Sequence, residues 1–165
     1  MKQAKQPKFY RHLDKKYTIT VLNEVATSFN SRILVAAARR SVLRGTAQVS
    51  ISLVDELRSR ALNGLYRGKD YATNVLSFSL TEGEAMPFGF AANLVCGDLI
   101  LCVPVLEQEA AAQHKSLRDH CLHMVVHGML HLQGYDHEAT SEAEVMEALE
   151  TKILGGLGVS NPYLD

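Results

Sequence analysis

Apolar and polar residues alternate along residues 17–22 (YTITVL) and 46–54 (TAQVSISLV), where Val49, Ile51 and Leu53 fall on one side. A period of two carried by β-branched residues predicts strands. Residues 74–80 (NVLSFSL) and 94–103 predict two more. The last is interrupted by Gly97, and a glycine within a strand marks a bulge or a close backbone approach. Elsewhere the period is helical. Ser31 is a candidate cap for a helix over 32–44, with Ile33, Leu34, Ala37 and Ala38 as its apolar stripe and Gly45 as its stop. Asp55 can cap a short helix over 56–63, and Pro104 can open one that runs to residue 113. Ser116 can cap a helix over 117–132 that Gly134 ends, and Ser141 one over 142–154 that Gly155 and Gly156 end. Residues 81–93, with two glycines and a proline, predict a loop, and residues 1–16 a loose basic arm. Strands come first and helices last. The expected fold is a single α+β domain over 17–165, a four-stranded mixed sheet packed with helices.

The 165 residues are 47% hydrophobic and 21% charged, which excludes wholesale disorder. No apolar run reaches the roughly 18 residues of a membrane span. The first seventeen residues lack the apolar stretch of a secretory signal. Cys96, Cys102 and Cys121 are odd in number and form no CxxC pair, so they read as small apolar residues in a reducing compartment, the cytoplasm. The net charge of −1 hides a polarised chain. Residues 1–69 hold fourteen Lys and Arg against four acids, and residues 70–165 hold three against fourteen. A basic face could attract a polyanion, or the two halves could fold together and mix their charges.

Six of the seven histidines lie between 114 and 137. His127 and His131, four apart on a helix, present both imidazoles on one face, one turn apart. Gly134 can break that helix and return the chain so that His137 reaches the same point. Three nitrogen ligands around a tetrahedral Zn²⁺ leave one position open, the pattern of a catalytic rather than a structural site. Other transition metals also accept imidazole. His120 and His123 extend the same helical face and read as core residues or as partners of the ligands. The spacing matches the zinc-protease pattern H-E-x-x-H-x-x-G-x-x-H, but Gly128 stands where the general-base Glu would be. Gly128 could leave the flank of the metal open to a bulky substrate, or could permit close helix packing. Asp136 and Glu138, beside the third histidine, are the nearest acids in sequence. A second segment, 65–70 (LYRGKD) leading into 73–78 (TNVLSF), places Arg67 and Lys69 in a turn before a strand. A guanidinium there could clamp a phosphate and stabilise the charge that develops on it.

These segments together resemble the YbeY family of bacterial metal-dependent endoribonucleases. HGMLHLQGYDH at 127–137 is similar to the family's histidine signature and YRGKD with TNVLSF at 66–78 to its second signature. GDLILC at 97–102 and MEALETKIL at 146–154 are similar to its glycine–aspartate strand and closing helix. The resemblance implies a single-domain α+β fold with a zincin-like histidine helix and one zinc ion. It implies cleavage of single-stranded RNA, maturation of the 3′ end of small-subunit ribosomal RNA, and ribosome quality control. The implied partners are ribosomal RNA and the small subunit or its assembly proteins, with no membrane. Carried over by position, His127, His131 and His137 match the metal ligands and Arg67 the functional arginine. Asp98 matches a recurring acid, which could equally be a structural cap at the end of its strand. Ala72, Asn74 and Ser79 depart from the family's usual Pro, Asp and Pro. A peptidase or amidase, or a non-catalytic assembly factor with a structural metal, are the other classes open to such a chain.

Overall fold

The computed structural model describes residues 8–13, 16–80 and 93–164. Among these residues one mixed sheet has five strands in the order β1-β2-β3-β5-β4. They are β1 (Lys8–Leu13), β2 (Tyr17–Asn23), β3 (Thr46–Val54), β4 (Val75–Ser79) and β5 (Leu94–Cys102). The central strands β2, β3 and β5 are parallel, and the edge strands β1 and β4 run antiparallel to their neighbours. Five helices accompany them: α1 (Ile33–Ser41), α2 (Glu56–Arg67), α3 (Val103–Ala112), α4 (Leu117–Leu132) and α5 (Thr140–Gly155).

The four strands read from the pattern are present, and the sheet has a fifth. Lys8–Leu13, expected within a loose arm, pairs with β2 from Lys8 opposite Asn23 to Leu13 opposite Thr18. An edge strand needs a backbone partner more than an apolar face, so its basic side chains hid it from the alternation. The expected loop at 81–93 lies, but for Asn93, outside the described residues.

One sheet face carries the core. Ile19, Val21, Ile51, Leu53, Leu99 and Leu101 are fully buried there against α1 and α4. Helix α4 carries a histidine stripe at 120, 123, 127 and 131, yet eleven of its sixteen residues are buried. It packs on β4 and β5 and is flanked by α1, α3 and α5. Two glycines allow this fit. A Cβ at Gly97 would stand 2.4 Å from the Phe78 carbonyl oxygen and 2.7 Å from Leu132 Cδ2. Gly97 stays in regular register with Val49 and Ser79, so it marks a close approach and not a bulge. A Cβ at Gly128 would stand 2.8 Å from Leu99 Cδ2 and 3.1 Å from Ser77 Oγ. Gly128 is therefore a packing residue buried against the sheet, and the alternative of an open metal flank is set aside.

The caps are a mixed result. Asp55 Oδ1 accepts from the Arg58 amide at 2.8 Å and Ser116 Oγ from the Asp119 amide at 3.1 Å, as their sequence positions predict. Ser31 caps nothing; buried, it accepts instead from Asn23 Nδ2 at 2.8 Å. Helix α5 likewise starts without a side-chain cap, at Thr140 after Ala139, so Ser141 lies inside the helix.

Candidate metal centre

Helix α4 ends in a Schellman turn. The Gly134 amide donates to the His131 carbonyl at 3.0 Å and the Tyr135 amide to the Leu130 carbonyl at 3.1 Å. Gly134 takes φ +90°, a conformation that costs a side-chain-bearing residue and not glycine. The reversal returns His137 to the last two turns of α4. Donor atoms of His127, His131 and His137 all lie within 4.8 Å of one another. The Nε2 atoms of His127 and His131 are 3.0 Å apart, and the His137 ring centroid lies 5.4 Å and 5.1 Å from theirs.

Glu150 of α5 lies beneath this cluster and is fully buried. Its Oε1 is 2.6 Å from His127 Nδ1 and its Oε2 is 3.0 Å from His123 Nε2. The Tyr163 hydroxyl also donates to Oε2. Burial alone would raise the carboxyl's pKa, but the hydrogen bonds from His123, His127 and Tyr163 overcome it and hold the pKa at about 2. An ionised carboxylate only accepts, so the His127 proton sits on Nδ1. Its Nε2 lone pair then faces His131 and His137. At His131, burial first and then the neighbouring His127 and His137 lower the pKa, which favours the neutral imidazole that binds metal. Nitrogens on one tetrahedral zinc lie roughly 3.4 Å apart. Three converging imidazoles, one in a fixed tautomer, fit such an ion.

Arg67 reaches the same place from the other side of the sheet. Phe78 faces α2, where its ring lies 4.8 Å from that of Tyr66, while the adjacent Ser77 faces Gly128 of α4. β4 is an edge strand, and a cavity of about 450 Å³ lies along its Val75, Ser77 and Ser79 face. Arg67, Asn74, Ser77 and the three histidines are among its lining residues. Arg67 is the last residue of α2, not part of a turn, because the helix continues past 63 to Gly68, where φ is +65°. Leu57, Ala61 and Leu65 recur every four residues and carry the helical period past 63, although Leu57, Leu65 and Tyr66 are exposed. The buried residues of α2 are polar and staple the following loop. Ser59 Oγ donates to the Thr73 carbonyl and accepts from the Thr73 amide, both at 3.0 Å. Asn63 Nδ2 donates to the Tyr71 carbonyl at 2.8 Å. Asp70 is taken up by Arg60 in a two-point ion pair at 2.7 Å and 2.8 Å. Asn74 Nδ2 donates to the Glu109 carboxylate at 3.2 Å, and Glu109 Oε2 is 2.7 Å from His120 Nε2.

Histidines 120 and 123 thus serve Glu109 and Glu150, outside the three-histidine group. Asp136 lines the cavity and accepts from the His137 amide at 2.7 Å; Glu138 does not line it. Asp98 is half-buried in the middle of β5, where Ser50 of β3 donates to it, and is not at the strand's end. The sequence reading missed Glu150 and Tyr163. The one available hint for Glu150 was an acid at an apolar-spaced position between Met146 and Leu154, both buried. Cys102 and Cys121 are buried, Cys96 is half-buried, and all three are free thiols.

A mixed α+β sheet whose buried helix and following turn bring three imidazoles to an open cavity defines a zincin-like histidine-centre protein. A sequence profile of the family described as endoribonuclease YbeY matches residues 11–158. A Chromobacterium violaceum protein named endoribonuclease YbeY is 56% identical over 132 residues, covering 80% of this chain and 75% of that one. A relative of the same name from Aromatoleum aromaticum is 47% identical over 152 residues, covering 90% and 93%. The solution structure of TM1509 from Thermotoga maritima matches with a TM-score of 0.57 at 26% identity, over 89% of this chain and 99% of that one. The chain belongs to the endoribonuclease YbeY family. Among the described residues no helix is long and apolar enough to cross a membrane.

Proposed function

We propose that this protein is a zinc-dependent endoribonuclease that cuts single-stranded RNA. The observation that carries the reading is the shared cavity, whose lining includes an exposed arginine and three convergent imidazoles. His127, His131 and His137 would hold one ion. Zinc bound there supplies a Lewis acid at neutral pH and an open coordination position. Arg67 would clamp the scissile phosphate, since its planar fork of donors matches phosphate oxygens and stays charged at any working pH. It would stabilise the negative charge that grows on those oxygens as the bond breaks. Arg58 and Lys69, exposed on and just after α2, would hold flanking backbone, while the acids Glu142, Glu144 and Glu147 are displayed on α5. The attacking group is either water or the substrate's own 2′-hydroxyl. Attack by the 2′-hydroxyl leaves a 2′,3′-cyclic phosphate and spares DNA, so product-end analysis separates the two.

The family resemblance extends this proposal to ribosomal RNA. The substrate would be the 3′ end of small-subunit RNA, the partners the small subunit or its assembly proteins, and the compartment the cytoplasm. The peptidase alternative loses ground: the position of its general base is Gly128, packed against Leu99 and Ser77.

The test is cleavage of a defined single-stranded RNA by wild type and His131→Ala, purified identically, with metal content measured on both. Cleavage by wild type alone, tracking bound metal, supports the proposal. Equal cleavage by both reveals a contaminating nuclease. Metal-loaded wild type that cuts nothing moves the weight to an assembly factor or an enzyme that needs the ribosome.

A further inference from the structure

Residues 159–164 lie outside the three-histidine group. After α5 the residues 159–164 fold back and are tied down by polar contacts. Lys115 Nζ donates to the Pro162 carbonyl at 2.9 Å, from the turn between α3 and α4. The Tyr163 amide donates to Asn161 Oδ1 at 2.9 Å, and Thr151 Oγ1 donates to the same oxygen at 3.4 Å. These contacts aim the Tyr163 ring inward. It meets the His123 ring edge-on at a centroid distance of 5.6 Å, with 86° between the planes. Its hydroxyl donates to Glu150 Oε2, although the residue as a whole is 44% exposed. The path from Tyr163 to the candidate metal ligand is therefore two hydrogen bonds long: Tyr163 to Glu150, and Glu150 to His127 Nδ1.

We propose that the C-terminal segment is a clasp on the metal centre, in which Tyr163 positions Glu150 and Glu150 in turn positions the His127 imidazole. This rests on the three-histidine reading and goes beyond it. A carboxylate that bridges two rings can pivot about its own bond. The donors on Oε2, His123 and Tyr163, decide where Oε1 points. Groups that orient a metal-binding histidine change affinity by about 10–100-fold when removed. Coupling of this kind is reciprocal. If docking of residues 161–164 strengthens metal binding, metal binding strengthens their docking by the same factor. Tyr163 is thus a positioning residue that touches neither metal nor substrate.

The test uses the full-length protein, zinc, and two variants. Tyr163→Phe removes the hydroxyl and keeps the ring. Val145→Ala alters an exposed residue of α5 that lies outside the segment and takes no part in the path. Zinc affinity is measured by competition with a chromophoric chelator at fixed pH. Amide exchange at residues 161–164 is followed with and without zinc, and the visible absorption of the cobalt(II)-loaded forms is compared. The expected result is zinc binding about tenfold weaker in Tyr163→Phe and unchanged in Val145→Ala. Zinc should slow exchange at the Tyr163 amide in wild type and do so less in Tyr163→Phe, whose cobalt spectrum should also differ. Wild-type zinc affinity and cobalt spectrum in Tyr163→Phe would overturn the clasp alone, as would exchange at 161–164 that ignores zinc. A wild type that takes up no zinc at all would overturn the three-histidine reading and the clasp with it.

Discussion

Substituting Gly128 by alanine sets two opposed effects against each other. In a helix interior alanine is favoured over glycine by about 1 kcal/mol. The added methyl, however, would stand 2.8 Å from Leu99 Cδ2, 3.1 Å from Ser77 Oγ and 3.3 Å from Leu99 Cδ1. Leu99 is fully buried between α4 and the sheet and has no solvent to swing into. Forcing a methyl into such a core costs about 1–3 kcal/mol. Crowding therefore outweighs helix propensity, and Gly128→Ala should lose about 1 kcal/mol of stability. Gly64→Ala reverses the sign. There the new Cβ meets only the Lys69 carbonyl oxygen at 3.6 Å, an ordinary contact on an exposed stretch of α2. It should gain about 0.5–1 kcal/mol. Both are measured by urea unfolding of the metal-free proteins in chelator, so that bound metal does not distort a two-state analysis. In a domain of this size about 1 kcal/mol moves the thermal midpoint by about 2–4 °C. A Gly128→Ala protein more stable than wild type would refute the reasoning, because it would mean that α4 does not sit tightly on β4 and β5.

Three further outcomes are expected. His131→Ala should lose metal and RNA cleavage together, whereas Arg67→Ala should retain metal by elemental analysis and lose cleavage by about 10²–10³-fold; cleavage at the wild-type rate would remove Arg67 from the mechanism. Cys121, whose thiol burial pushes up to about 12, should resist iodoacetamide at about pH 8 in the native protein and react only on unfolding, as followed by mass spectrometry. His120 has its pKa lowered by burial, against the pull of Glu109, so the unfolded chain takes up its proton first as pH falls. Its contribution to stability is present above the unfolded value of about 6.5 and is lost as pH drops through the lower folded value. Urea titrations between about pH 7 and 5 should accordingly show a shallower pH slope in His120→Gln, and an unchanged slope would discount the effect.

Much of this protein was determined by local sequence. Alternation placed β3 at 46–54, side-chain oxygens at Asp55 and Ser116 started their helices, and His127, His131, Gly134 and His137 prescribed a helix, a reversal and a return. Each depends on neighbours within a few bonds or one helical turn, where spacing alone specifies geometry. Tertiary structure decided the rest. The first strand exists because β2 offers it a backbone edge, although its sequence, KFYRHL, does not alternate. Ser31 serves Asn23 instead of capping α1, a choice that only the packed chain could make. The room at Gly128 was settled by where Leu99 and Ser77 lie, 29 and 51 residues away in sequence. Arg67 and the histidines come to line one cavity only in the folded chain, and Glu150 reaches His127, with Tyr163 behind it, only once α5 has packed on α4. Hydrogen bonds of this kind join residues far apart along the chain, so no local period or motif records them.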